Sequence, residues 1–198
     1  MAKLKSNIKN IIIVLTGIAF VSSFLLSTVY LLTSNPIESS KLFKQQKAIE
    51  KVLPKYDVCR QSDKVNGLNV YKAYKDNLFV GAAVESFSSN GFGGEIRVMV
   101  GFDKTGNIYN YVVLDQNETE GLGSNIDSWF KKKRRNQNII GKNPKKDNLD
   151  VKQDGGEVDG ITSATISSRA FLESIKKAYA AYANNSEAPD AESGATTK

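Results

Sequence analysis

The chain of 198 residues contains no histidine and a single cysteine, Cys59. A lone cysteine cannot close an internal disulfide. Iron–sulfur clusters and structural zinc need several Cys or His ligands, and this chain does not supply them. Without histidine there is no Ser-His-Asp or Cys-His nucleophile system. Any redox work must therefore run through an organic carrier. Cys59 itself reads as a small buried apolar residue rather than a reactive one. Also missing are an internal repeat, a lipobox cysteine and a recognition motif for nucleic acid. The formal charge of +6 comes from a few short basic runs and does not argue for a nucleic-acid partner.

What is present begins with an apolar run. From Ile11 to Leu32 no residue is charged. As a helix this stretch rises about 33 Å, enough to cross a ~30 Å hydrocarbon layer. A secretory leader has a shorter apolar region ending at a small-x-small site, whereas SNPIESS follows here. The run is expected to be an uncleaved anchor in a lipid bilayer. Lys3, Lys5 and Lys9 precede it and the next basic residue is Lys41, which places the N-terminus in the cytoplasm and the remainder outside. The expected layout is a cytoplasmic segment 1–10, a transmembrane helix 11–32, a linker helix 33–60, one folded domain 61–185 and a disordered tail 186–198.

Pro36 is expected to end the anchor. In residues 39–53, Leu42, Phe43, Ile49, Val52 and Leu53 form one apolar stripe at helical spacing, stopped by Pro54. Strands are expected at 68–74 and 78–87, around a turn at Lys75-Asp76-Asn77. Ile96, Val98, Val100 and Phe102 alternate as in a half-buried strand, and 95–114 reads as a hairpin turning at Asp103–Asn107. Ser124 is positioned to cap a short helix holding Ile126, Trp129 and Phe130. Ala170, Phe171, Ile175, Ala178, Tyr179 and Tyr182 mark a last helix over 164–183. The fold class is α+β: a single N-terminal transmembrane helix, then a small antiparallel sheet with flanking helices.

Chemistry is expected at the start of the last helix, in Asp159-Gly160-Ile161-Thr162-Ser163-Ala164-Thr165. A helix N-terminus presents unpaired N–H groups and partial positive charge, which suits phosphate oxygens. Three hydroxyls lie within one turn, and Gly160 permits close approach. Asp, Ser and Thr are also what any helix start prefers, so composition alone does not separate a ligand site from a plain cap. Similarly, Lys131–Arg135 (KKKRR) reads either as a solvated face or as a surface for an acidic partner or an anionic headgroup. Tyr109, Tyr111, Phe92 and Trp129 are expected in the core.

The motif D-x-x-[ST]-[GS]-A-T resembles the flavinylation motif of the FMN-binding domain family, with serine at 163 where glycine is usual. Glu118-Thr119-Glu120-Gly121-Leu122-Gly123 resembles the family's E-T-P-G-L-G loop, with Glu120 in place of proline. Gly91–Gly101 resembles the glycine-rich loop and strand that precede it. The order of these elements behind an N-terminal anchor also matches, so the resemblance covers the chain up to residue 185. It implies an FMN joined by a phosphoester to Thr165. Glu118, Thr119, Gly121, Leu122, Gly123, Thr162, Ser163 and Ala164 would contact the cofactor, and Asp159 and Gly160 would complete the motif. A second match, Asp190–Thr196, lies in the tail with no helix after it, which makes Thr196 the second choice.

The family includes the G subunit of Rnf complexes, which move electrons between ferredoxin and NAD coupled to Na⁺ or H⁺ translocation. The short chain and single anchor are most similar to that subunit. The chain is then expected to be an electron-relay subunit, not catalytic alone. Its partners would be the other subunits of the complex, the bilayer and a separate flavin transferase. The alternatives are the C subunit of a sodium-pumping NADH:quinone oxidoreductase, another anchored flavoprotein, or a tethered envelope or sensor domain without cofactor.

Overall fold

The computed structural model describes residues 8–62 and 64–184, and for 34–38 the backbone only. Most of the expected cytoplasmic segment, the tail 186–198 and Thr196 lie outside the described residues. Contacts divide the chain into two units, Met1–Lys44 and Gln45–Lys198.

The first helix, α1 (Ile8–Val52), is assigned as helical without a break. The expected stop at Pro36 is not seen. Proline removes one N–H and crowds the preceding turn, but the flanking helical bonds remain, so it can bend a helix rather than end it. Ile8–Thr33 is long and apolar enough to cross a membrane. Its side chains are exposed around the whole circumference, Phe20, Leu26 and Leu32 at 77%, 74% and 72%. A helix apolar on every face is suited to lipid rather than to one side of a protein core. Inside this span Thr28 Oγ1 and Thr33 Oγ1 donate to the carbonyls of Phe24 and Val29, both at 2.8 Å. Their hydroxyls therefore need no water.

The second unit is built on an antiparallel meander of five strands in sequence order: β1 (Val58–Gln61), β2 (Asn69–Lys75), β3 (Leu78–Ser88), β4 (Ile96–Asp103) and β5 (Ile108–Asp115). The turn between β2 and β3 has positive φ at both Asp76 (51°) and Asn77 (60°), the type I′ pattern that matches strand twist. Asp103 Oδ1 accepts the N–H groups of Thr105 (2.8 Å) and Asn107 (2.9 Å) and closes the β4–β5 turn. β1 falls where a linker helix was expected. Its four residues, VCRQ, show no periodicity of their own, and pairing with β2 makes them a strand.

Alternation along the strands sends two sets of side chains to opposite faces. Val70, Ala82, Val84, Val98, Val100 and Phe102 meet α3 (Thr165–Ala183). Tyr71, Ala73, Ala83 and Met99 meet Ala48, Ile49, Val52 and Leu53 at the end of α1. β4 is therefore buried on both faces, not half-buried: Val98, Met99 and Val100 are all fully inaccessible. Gly101 has no room for a Cβ because the Val52 carbonyl lies against it. Gln45 Nε2 completes the junction, donating to Tyr71 OH and Glu85 Oε2, each at 2.8 Å.

Candidate functional site

A cavity of about 370 Å³ opens where three loops converge at the start of α3. That volume lies in the range of small-molecule sites. Phe92 comes from the glycine-rich loop between β3 and β4. Thr119, Leu122 and Gly123 come from the loop after β5, and Ser163 to Ser167 from the turn into α3 and its first residues. None of the lining side chains is titratable. Charge in the cavity can therefore be met by backbone dipoles and by the hydroxyls of Thr119, Ser163 and Thr165.

α3 supplies the dipoles. Its first helical bond runs from the Ser168 N–H to the Ala164 carbonyl at 3.0 Å, and no side chain caps the helix. The N–H groups of Thr165, Ile166 and Ser167 are thus left without a partner among the described residues, at the positive end of the helix. The cap expected from Asp, Ser and Thr is not made. Ser168, which is buried, accepts the Ile161 N–H (2.8 Å) and donates to the Ala164 carbonyl (2.9 Å), fixing the turn from inside. Thr165 is half-buried on the cavity wall. Ser163 is exposed with φ of 64°, a left-handed conformation that glycine adopts at no steric cost. That is a local reason for glycine to be usual at this motif position.

The opposite wall is held by a buried carboxylate. Glu118 is 6% exposed. Its Oε1 accepts the Gly93 N–H at 3.1 Å, and its Oε2 accepts the Ser167 hydroxyl. One side chain therefore ties the glycine-rich loop, its own loop and the first turn of α3 together. The glycines follow from this packing. A Cβ on Gly123 would fall 2.6 Å from Ser167 Oγ and 2.7 Å from Glu118 Oε2, and one on Gly91 would fall 2.5 Å from Glu118 Oε1. The next residues turn back. The Leu122 N–H reaches the Thr119 carbonyl at 3.1 Å, with Gly121 at φ 75° in the third position. This is the pattern of a type II turn, whose second position favours proline and is occupied here by Glu120. Ser124 does not cap a helix. It accepts the Gly121 N–H at 3.0 Å and rigidifies this turn, while α2 (Ile126–Trp129) starts without a side-chain cap.

Behind the cavity, Tyr111, Phe130 and Phe171 form a buried aromatic stack. Phe130 and Phe171 are nearly parallel at 4.8 Å, and Tyr111 OH donates to the Ile126 carbonyl at 2.7 Å. This fixes α2 on α3. Burial pushes the Tyr111 phenol well above its ordinary value. Burial also lowers the Lys131 ammonium, with Lys51 adding to the effect and Asp127 opposing it. Lys131 is part of the fold, since its Nζ donates to the Tyr111 carbonyl at 2.7 Å.

Of the residues singled out in the sequence, Thr119, Leu122, Gly123, Ser163, Ala164 and Thr165 share the cavity wall. Glu118 lies behind the wall, and Gly121 and Thr162 lie outside it. Asp159 also lies outside. Its carboxylate accepts the Asn136 N–H (2.9 Å) and pairs with Lys152 (2.8 Å), while its carbonyl accepts the Trp129 indole N–H (2.8 Å). Gly160 packs near Val151 and Ser168. Phe92 is not a core residue. It is 70% exposed and belongs to the cavity with Leu122 (42%) and Ile166 (49%). Ile166 and Ser167 were not singled out. The signal available was their position, directly after the motif threonine on the first turn.

The comparisons with known proteins point to one family. The FMN-binding domain family matches residues 91–180, the stretch that contains all three loops. The G subunit of an ion-translocating oxidoreductase complex from Yersinia pestis is 32% identical over 74% of this chain and 77% of its own. The corresponding G subunit from Vibrio cholerae is 31% identical over 84% and 86%, and that from Aliivibrio fischeri 29% over 88% and 90%. With its anchor, its meander and its loop-lined cavity, the chain belongs to the family of G subunits of ion-translocating oxidoreductase complexes and carries that family's FMN-binding domain.

Proposed function

We propose that the chain is the electron-transfer subunit of an Rnf-type complex, in which ferredoxin:NAD oxidoreduction is coupled to Na⁺ or H⁺ translocation, and that its FMN is held by a phosphoester to Thr165. The observation that carries this is the placement of the Thr165 hydroxyl. It lies half-exposed on the cavity wall, on the same turn as the unpaired N–H groups of α3.

The residues present suit the group. Phosphate oxygens fit the unpaired N–H groups of Thr165, Ile166 and Ser167. Phe92, Leu122 and Ile166 offer exposed apolar surface to a planar ring. Thr119 and the Gly121–Gly123 backbone supply polar contacts at the opposite wall, and Glu118 holds both walls in register from behind. Bound FMN supplies stepwise electron transfer, while the chain contributes position and electrostatic environment. The chain is a relay within a larger oxidoreductase and is not catalytic alone.

Attachment calls for a separate flavin transferase. The Thr165 hydroxyl has no hydrogen-bonded base among the described residues, and no titratable group lines the cavity. The transferase would move the FMN moiety of FAD onto Thr165 Oγ1 and release AMP. Lys3, Lys5 and Lys9 before the apolar span favour a cytoplasmic N-terminus and an extracytoplasmic domain in the bacterial inner membrane. There a covalent link keeps the cofactor from being lost.

The test is in-gel flavin fluorescence after denaturing electrophoresis. The full chain is co-expressed with a flavin transferase as wild type, Thr165→Ala and Thr196→Ala. Loss in Thr165→Ala alone is expected. Loss only in Thr196→Ala would move the cofactor to the tail. A colourless wild type, with the transferase active on a control protein, would favour a tethered domain without cofactor.

A further inference from the structure

Within the KKKRR run the Lys131 side chain hydrogen-bonds the Tyr111 carbonyl, and the Lys132 ammonium lies 5.6 Å from the centre of the Trp129 ring. Lys132, Lys133, Arg134 and Arg135 are exposed, and none has a carboxylate within ion-pair distance among the described residues. Elsewhere in the unit Arg97, Lys142, Lys152, Arg169, Lys176 and Lys177 each have one, while the exposed Lys104, Lys145 and Lys146 have none among the described residues, so the run is set apart by four adjacent cations. The run is also not a loose strap. The Lys132 N–H bonds to the Trp129 carbonyl (3.2 Å), and the Ile139 N–H to the Phe130 carbonyl (3.0 Å). Between them, Asn136 and Asp159 exchange two bonds. The Asn136 N–H goes to the Asp159 carboxylate at 2.9 Å, and the Asp159 N–H to the Asn136 carbonyl at 3.0 Å. The four cations are therefore displayed on a short loop fastened to the motif turn that leads into Thr165. Arg135 adds to the field that keeps the Asp159 carboxyl below its usual range, behind the hydrogen bonds from Lys152 and Asn136.

We infer that Lys132–Arg135 is the docking surface for an acidic face on another subunit of the complex. Four adjacent like charges repel one another, and a cluster of carboxylates on a partner would relieve that repulsion. The loop is pinned at both ends, which suits directional pairing with carboxylates, and its two arginines can pair bidentately. A lipid surface is the poorer fit. Segments that lie on membranes combine cations with inserted apolar residues, and residues 131–136 include none. A subunit seated here would lie beside the turn that bears the flavin site, where a relay must meet its redox partner. The identity of the partner rests on the proposed role in an Rnf-type complex, but the docking does not depend on the link at Thr165.

The experiment uses the full-length tagged chain in its native membranes. The variants are a fourfold change of Lys132, Lys133, Arg134 and Arg135 to Glu, the same change to Gln, and Thr165→Ala. Recovery of the other subunits per tagged chain is measured at low and raised salt. The Glu variant is expected to lose about tenfold in recovery and the Gln variant less, with thermal unfolding of the Gln variant close to wild type. Carbodiimide treatment of the wild-type complex is expected to join Lys132 or Lys133 to an Asp or Glu of another chain. Thr165→Ala is expected to keep its partners. If it does, and the Glu variant does not, the surface stands even should no flavin be found at Thr165. Full recovery of subunits with the Glu variant would overturn the inference. So would a loss confined to binding of phosphatidylglycerol vesicles.

Discussion

The two walls of the cavity treat their polar groups in opposite ways. On the Glu118 side the polar groups that join the loops are bonded internally. Both carboxylate oxygens are engaged, the Glu118 N–H reaches Gln116 Oε1 at 2.7 Å, and the Gly121 N–H reaches Ser124 Oγ. On the Thr165 side the chain leaves three N–H groups and a hydroxyl without partners among the described residues and holds Ser163 in a left-handed conformation. A group bonded internally, such as the Glu118 carboxylate, has little to offer a ligand and much to lose from mutation. A wall with free donors is the reverse. The first wall assembles the site, and the second is open for binding.

The sharpest way to break this contrast is to remove one group from each wall. Thr165→Ala should abolish covalent flavin completely and leave thermal unfolding within about 2 °C, since the hydroxyl makes no internal bond and exposed changes are near neutral. Glu118→Ala should do the opposite in kind. It strands the Ser167 hydroxyl and the Gly93 N–H, at a cost of about 2–3 kcal/mol, or roughly 5–10 °C in Tm. Flavin incorporation should fall only as far as the loops loosen. The Tm of both variants, measured by near-ultraviolet circular dichroism on the full chain, decides it. A stable Glu118→Ala protein would show that the carboxylate is not the tie between the loops.

Next in size is an acid effect at the base of the glycine-rich loop. Glu173 on α3 accepts Ser88 Oγ and Asn90 Nδ2, both at 2.8 Å, and pairs with Lys177 at 2.8 Å. The Lys177 hydrogen bond first, then those from Asn90 and Ser88, hold its carboxyl down to about 2, with burial opposing them. A depressed carboxyl contributes stability that is complete above its ordinary value of 4.5 and fades as pH falls through about 2. Wild type should therefore lose stability across that interval. Glu173→Gln should start lower and show a flatter acid limb. Parallel limbs in Tm-against-pH curves would remove Glu173 from the account.

How much of this was legible in the sequence follows from how local each signal is. β2 to β5 and α3 were readable because their apolar residues alternate or recur over seven or more positions. β1 was not, because four residues become a strand only by pairing with β2. Pro36 argued for a break that a long helix absorbed. Phe92 read as core because aromatic residues usually are, yet its loop leads outward. The motif segments meet at one cavity, but the contacts that hold them there could not be read from the motifs. Glu118 and Asp159 turn out to be fasteners, and Ser167, which receives no weight in the pattern, completes the knot with Glu118. Such roles depend on contacts between positions 49 residues apart, which no single stretch of sequence displays.

The open wall should also be improvable where it departs from the family pattern. Ser163 at φ 64° carries left-handed strain. Ser163→Gly should relieve it, offset in part by the entropy glycine gains when unfolded, for a net gain of about 1 kcal/mol. Thermal unfolding with and without flavin tests this. A loss of stability would mean that the serine hydroxyl contributes more than the strain costs.

The smallest effect is expected at Glu120 on the assembled wall. It occupies the second position of the Thr119–Leu122 turn, is exposed, and its N–H has no partner among the described residues. Proline there removes no hydrogen bond and restricts the unfolded chain, so Glu120→Pro should stabilise by about 0.5 kcal/mol. The substitution also removes a charge. Glu120 is one cause, after burial and against Lys131, of the raised Asp127 carboxyl. Glu120→Gln separates the two effects. It should lower the Asp127 titration as Glu120→Pro does, without the gain in Tm. Equal Tm gains in both variants would assign the stabilisation to charge and leave the turn no stiffer than before. A gain confined to proline would show that this wall, already tied together by the Glu118 and Ser124 hydrogen bonds, still has conformational freedom to lose.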